Sequence, residues 1–175
     1  MSPYPIFDTP GFDAIIPAWQ AKLQAEYPAA CELVNTAVDD DWLAQPGLVL
    51  PYPPIPSTVN VFPTTGMMLV SDTAEDDVGH EWTGVYTIGF VVFTQHAEPE
   101  GLAATTRRQV RALKTAALAN RRLPMPEHPN MTTGRLTYAG TTWGPAFADL
   151  PDSEAPPSAY FTWSIVRLVS RHDEG

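Results

Sequence analysis

Cysteine is almost absent: the single Cys31 among 175 residues excludes an internal disulfide and fits a reducing compartment. Basic residues are also scarce, with 10 Lys and Arg against 20 Asp and Glu, a net charge of −10. That balance argues against general binding to nucleic-acid backbones, which needs clustered cations facing the phosphates. Charged residues of both signs make up only 17% of the chain, below the usual quarter, so the surface is expected to be partly apolar or partly covered by partners. Long hydrophobic runs are missing as well. No window approaches the roughly 18 apolar residues that a membrane span requires. The first residues, MSPYPIFDTPGF, have neither a basic region nor an apolar stretch of the secretory kind. The expected protein is soluble and intracellular when made. Local catalytic motifs are missing too: no glycine-rich phosphate loop follows a strand, and GxSxG, HExxH and CxxC do not occur. These absences lower an enzyme reading, and no catalytic residue, cofactor or metal is assigned.

What the chain does have is proline, 19 residues concentrated in the runs Pro46–Pro63 and Pro145–Pro157. Proline this dense opposes regular hydrogen-bonded ladders and predicts extended arms or ordered loops at about 44–57 and 145–158. The length suits one domain with a proper core and is short for two, so residues 1–175 are read as a single domain. Asp13 can cap an N-terminal helix in which Ile15, Trp19, Leu23 and Tyr27 fall on one stripe. Pro28 is expected to interrupt it, with a second helix resuming at AACELVNTAV. A strand is expected from Thr58 to Ser71, kinked at Pro63 and turned at Gly66, followed by an acidic connection, DTAEDDVGHE. Trp82–Thr94, WTGVYTIGFVVFT, is the clearest strand. Its alternate positions Tyr86, Ile88, Phe90 and Val92 are apolar, and so are Val85, Val91 and Phe93 on the other face. It should therefore lie centrally and be covered on both sides. A helix from Gly101 to about Asn120 carries Leu102, Thr106, Val110, Leu113 and Ala117 inward. The remainder is β-rich, ending in SAYFTWSIVRLVSR. The predicted class is α+β, a mixed or antiparallel sheet with an N-terminal helix and one long helix packed on it.

Four groups of residues could carry chemistry. Cys31 as a nucleophile would need a histidine nearby, and its apolar segment favours a buried structural thiol. His80 and Glu81 with Asp72, Glu75, Asp76 and Asp77 could gather around a divalent cation, but the spacing matches no EF-hand, and a solvated acidic loop is the plainer reading. His96 beside Glu98 reads as a turn histidine ahead of the helix, where Glu98 and Glu100 favour its positive end. The most distinct feature is the helix itself. Arg107, Arg108, Arg111, Lys114, Arg121 and Arg122 place six of the ten basic residues within sixteen positions. Arg107, Arg111 and Lys114 fall at i, i+4 and i+7. This face is an anion or nucleic-acid site, an ionic face toward an acidic neighbour, or an ordinary solvated face. With acids segregated in Asp39–Asp41 and Asp72–Glu81, copies of the chain could pair head to tail, Arg107, Arg108, Arg111 and Lys114 meeting Asp72, Glu75, Asp76 and Asp77.

The order of these elements resembles the tail terminator, or tail completion, proteins of long-tailed bacteriophages. The likeness rests on an N-terminal helix, a proline-rich crossing, the TVNVFP strand, an acidic loop, the long strand ending FVVFTQHAEPE, the helix GLAATTRRQVRALKTAAL and two final strands. It implies a non-enzymatic structural protein of the virion that forms a ring, commonly a hexamer. Such a ring would cap the tail tube, contact the major tail tube protein and a head-completion or neck protein, and let DNA pass through its lumen without specific binding. The arm LAQPGLVLPYPPIPSTV and the segment GPAFADLPDSEAPPSAY are not features shared with that family. Another neck or head–tail connector protein is the near alternative. A small anion-binding domain or enzyme using the arginine helix is an alternative of another class, and an adaptor pairing with a basic partner through its acidic loops is a third.

Overall fold

The computed structural model describes residues 12–77, 81–124, 131–133, 136–148 and 159–174. The fold is α+β: two helices lie against one face of a seven-stranded mixed sheet. Helix α1 spans Phe12–Asn35 and α2 spans Pro99–Leu118. The strands are β1 (Leu48–Leu50), β2 (Thr64–Asp77), β3 (Glu81–His96), β4 (Met131–Thr133), β5 (Thr137–Trp143), β6 (Phe147–Ala148) and β7 (Tyr160–Glu174). Their order is β1-β2-β3-β7, and the far edge of β7 carries β4, β5 and β6 in turn. Among the described residues β1 and β2 pair in parallel and the other pairings are antiparallel.

Helix α1 runs through Pro28 without a break, which corrects the expectation of two helices. An interior proline removes one hydrogen bond and costs about 3 kcal/mol. The apolar stripe crosses it on both sides: Trp19, Leu23 and Tyr27 before, Ala30, Cys31 and Val34 after, all buried. Each large side chain in such a stripe contributes roughly 1.5–3 kcal/mol on burial, so packing outweighs the local defect. Pro28 itself faces outward.

The acidic stretch Asp72–Asp77 also departs from expectation. It is not a connection but the second half of β2, paired residue for residue with β3 from Asp72↔Tyr86 to Asp77↔Glu81. Strand propensity disfavours Asp and Glu, yet a partner strand that keeps offering paired backbone groups overrides it. A register shift between Leu69 and Ser71 precedes this half. Gly66 is likewise no turn: it sits inside β2 opposite Val91. A Cβ there would lie 2.2 Å from Pro54 Cδ and 2.5 Å from the Tyr52 carbonyl oxygen, so glycine lets the proline-rich segment cross the sheet at this point. That segment is not wholly irregular either, since Leu48–Leu50 forms the parallel edge strand β1.

β3 is central, as its pattern predicts, and β7 is its neighbour of nearly the same length, paired from Trp82↔Glu174 to His96↔Tyr160. Both helices cover the same side. The Trp19 ring meets Phe90 edge-on at 5.1 Å, Tyr27 reaches Thr65, and Thr106 on α2 bonds Thr94 at 2.6 Å. Under them Tyr86, Ile88, Phe90, Val92, Val166 and Leu168 are buried with Leu113, Ala116 and Ala117. Of the cover expected on both sides of β3, the helices supply one side; on the other, Val91 and Phe93 are buried near the crossing arm.

Side-chain amides fix the chain between α1 and β1. Buried Gln109 donates to the Gln45 carbonyl (2.9 Å) and to the Tyr27 hydroxyl (2.8 Å), and accepts from the Gln45 amide (3.1 Å). Asn35 holds Ala44 in the same two-way manner, at 2.8 and 2.9 Å. Replacing Gln109 with Leu would strand the backbone groups of Gln45 and the Tyr27 hydroxyl. The expected loss is about 3 kcal/mol in urea unfolding; stability equal to wild type would show that water or relaxation replaces these bonds.

Candidate functional site

Two surfaces stand out, the cationic side of α2 and the uncovered side of the sheet. Helix α2 starts after a tight turn. The His96 ring accepts a hydrogen bond from the Glu98 amide at Nδ1, 2.9 Å away, and Pro99 occupies the first turn, where a missing N–H costs nothing. Gly101 leaves room for that ring, because a Cβ would lie 2.1 Å from His96 Cε1. Trp42 packs edge-on against the same ring. His96 thus serves the turn that aims α2, in agreement with its reading as a turn histidine.

The four basic residues of α2 divide into two kinds. Arg108 is engaged inside the chain: its guanidinium clasps the Asp40 carboxylate, with Nη2 2.7 Å from Oδ2, and also donates to the Trp42 carbonyl. Lys114 places its ammonium 3.8 Å from the centroid of the Tyr138 ring, a cation–π contact. Arg107 and Arg111 are exposed and have no acidic partner among the described residues. With Val34, Val38, Ala104 and Arg108 they line a groove of about 180 Å³ between α1 and α2. Arg107 also stands at the rim of a larger, mainly apolar cleft of about 430 Å³ formed with Leu102, Trp143 and Thr162. Asp72, Glu75, Asp76 and Asp77 lie in the second half of β2, paired with β3.

Asp40 is held down to a pKa of about 2, first by the hydrogen bond from Arg108, then by the Trp42 amide at 2.9 Å and by the charge of Arg108. Cys31 is buried, and burial pushes its thiol up to about 11, so at neutral pH it is a protonated core residue and a poor nucleophile. His80 lies outside the described residues. Among those described, no group of three His, Cys, Asp or Glu comes together as metal ligands would, and no helix is long and apolar enough to cross a membrane.

Lys22 went unnoticed in the sequence. It is buried on α1, and its ammonium donates to the carbonyls of Ala119 and, at 3.1 Å, of Arg122. It thereby neutralises carbonyls left over at the C-terminal end of α2. Burial lowers its pKa. A lone lysine in an otherwise apolar stripe was the available signal, as was Gln109 seven positions after Leu102 on the inner stripe of α2. Nothing local marks Asp40 among three consecutive acids.

The uncovered side of the sheet carries the alternate positions of β3 and β7. Val91 and Phe93 are buried near the crossing at Gly66. Further along, Met68, Val85, Trp163, Ile165 and Val169 are half-buried and Val70 is exposed. Met68, Val70 and Ile165 surround Gly89, where a Cβ would meet the first two at 3.0 Å and the third at 3.4 Å, and Arg167 is its register partner on β7. Phe161 extends the patch to Phe62, 5.6 Å away ring to ring.

No protein-family model matches this chain, and no curated protein does. Among solved structures, a chain from the virion of a native gene transfer agent (GTA) particle is similar over 93% of this chain and 96% of that one, with 19% identity and a TM-score of 0.41.

The Asp40–Arg108 pair yields a pH prediction. An aspartate with a folded pKa of about 2 against an ordinary 3.8 stabilises the fold above pH 3.8 and loses that contribution as pH falls toward 2. Asp40→Asn should therefore lower the urea midpoint at pH 6 and flatten its fall between pH 4 and pH 2. Identical slopes in wild type and variant would show that the pair adds nothing to stability.

Proposed function

We propose that this chain is a structural subunit of a phage-like virion, of the tail-terminator type: a ring that caps the tail tube and joins it to the head or neck. The observation that carries this reading is the second face of the sheet. Its alternate positions on β3 and β7 are mostly apolar, with Arg167 opposite Gly89 reaching toward Thr142 on β5, and neither helix covers it among the described residues. Soluble single chains seldom leave such a patch open on a central sheet, and an assembly partner is the usual cover. The order of elements, resembling that family across most of the chain, supports the same reading. So does the division of labour on α2, where Arg108 and Lys114 are engaged within the chain and Arg107 and Arg111 are exposed, in a chain of net charge −10. An acidic wall would also let DNA slide through a lumen without adhering.

The test is assembly. Purified protein at high concentration and low salt should sediment as a closed oligomer and appear as rings by electron microscopy. Mixed with tail tubes lacking their terminal ring, it should cap one tube end. Binding to head vertices and not to tubes would replace this reading with that of a connector. Binding to neither, with no self-association, would overturn the virion reading.

A further inference from the structure

We infer that the proline-rich arm Pro51–Pro56 of one copy of this chain docks in the apolar cleft beside Trp143 of the next copy. This rests on the ring reading above and specifies which surfaces of neighbouring subunits meet. Three observations carry it. First, exposed large apolar side chains gather at the two edges of the sheet. Leu48, Tyr52, Ile55 and Val61, between 46% and 64% exposed, stand on β1 or in the arm that follows it. Tyr138, Trp143 and Phe147, between 38% and 53% exposed, stand on β5 and β6. Among the described strands β1 is outermost on one side, and β5 and β6 lie beyond β7 on the other. Neither stretch has a charge to set against this apolar surface: no charged residue occurs from Trp42 to Ser71 or from Thr137 to Ala148. Apolar surface of this kind marks a contact site. Second, the cleft has the build of a proline-binding groove. It holds about 430 Å³ between Pro99, Leu102 and Ala103 on α2 and Trp143 and Thr162 on the sheet, with Arg107 at its rim. Proline-rich segments dock in aromatic-lined grooves, where rings pack on a backbone that is already extended. Such a segment has carbonyl acceptors and few N–H donors, whereas Arg107 and the Trp143 indole are donors. Third, the arm is held in shape. Ile55 has φ −77° and ψ 124°, close to polyproline II. Its carbonyl accepts from the Thr58 amide at 2.9 Å and from the Thr58 hydroxyl at 2.8 Å. Little conformational freedom is left to lose on docking.

Arm and cleft stand at opposite edges of one sheet, so the contact is heterologous. Each subunit gives an arm to one neighbour and receives an arm from the other, and repetition either closes into a ring or propagates. The second copy is the favoured occupant because one chain carries both halves, matched in chemistry and alike in lacking acidic residues. An apolar surface of the tail tube is the rival occupant, and it is an outcome of the test.

The experiment separates the two halves. Tyr52→Ser with Ile55→Ser forms the arm variant, and Trp143→Thr forms the cleft variant. All three side chains are more than half exposed, so little core is lost, and thermal melting establishes that each variant folds. Ala103→Glu, which places a charge on the exposed helical wall of the cleft, replaces Trp143→Thr if that variant melts early. Leu33→Ser is the control, equally exposed but on α1. Self-association is followed by sedimentation, and on tail tubes by microscopy. Each variant alone should associate at least about tenfold more weakly than wild type, and the control should match wild type. An equimolar mixture of arm and cleft variants should stop at dimers, because each pair retains one intact arm facing one intact cleft. Variants that assemble as well as wild type would overturn this contact and leave the ring reading standing. A mixture that stays monomeric, or that forms rings, would overturn the pairing of these two edges. Variants that form rings yet no longer cap tubes would reassign the arm and cleft to the tube. Wild type that assembles neither in solution nor on tubes would overturn both readings.

Discussion

The structure depends on two long strands, β3 and β7, lying side by side in the middle of one sheet with apolar residues on both faces. A strand hydrogen-bonded along both edges cannot turn an apolar face aside, because the period of two sends alternate side chains to opposite faces. Two helices satisfy one face, and their stripes, centred on Trp19, Tyr27, Leu113 and Ala117, form the core. Among the described residues the other face receives the proline-rich crossing at Gly66 and, at Trp163, the chain near Gly144. What remains around Gly89 is a surface whose chemistry suits an interior more than water, and the functional reading follows from that imbalance.

A second theme is the use of a few side chains in place of secondary structure. The chain from Asp40 to Gln45 has no strand partner, yet Arg108, Asn35 and Gln109 bind its carboxylate, carbonyls and amides. Gln20 does the same for the Val49 carbonyl at 3.0 Å. Donors and acceptors in this irregular segment are thereby satisfied without a ladder. The helices, the crossing arm and the first edge strand are held as one unit, so the groove beside Arg107 and Arg111 has a fixed shape.

Much of this frame was legible from residue patterns. The central strand announced itself through apolar residues at consecutive positions, and α2 through its inner stripe, because burial on a regular element leaves a periodic trace. Features set by distant partners left no such trace. The continuity of α1 through Pro28 comes from packing on both sides of it. The extension of β2 through four acids comes from its pairing with β3. Helical spacing places Arg107, Arg111 and Lys114 near one another, but it does not reveal that Asp40, 68 residues away, takes Arg108, or that Tyr138 lies under Lys114. The separation of Arg108 and Lys114, which have partners, from Arg107 and Arg111, which have no acidic partner among the described residues, is a product of tertiary structure.

The central claim is that the open face of the sheet is covered by assembly. Hydroxyl-radical footprinting tests it most directly, since Met68 and Trp163 lie on that face and both react readily when wet. Their labelling rates in dilute, monomeric protein and in assembled protein should differ, with strong protection in the assembly, while Leu33 on α1 serves as an exposed reference. Equal labelling of Met68 and Trp163 in both states would contradict the account.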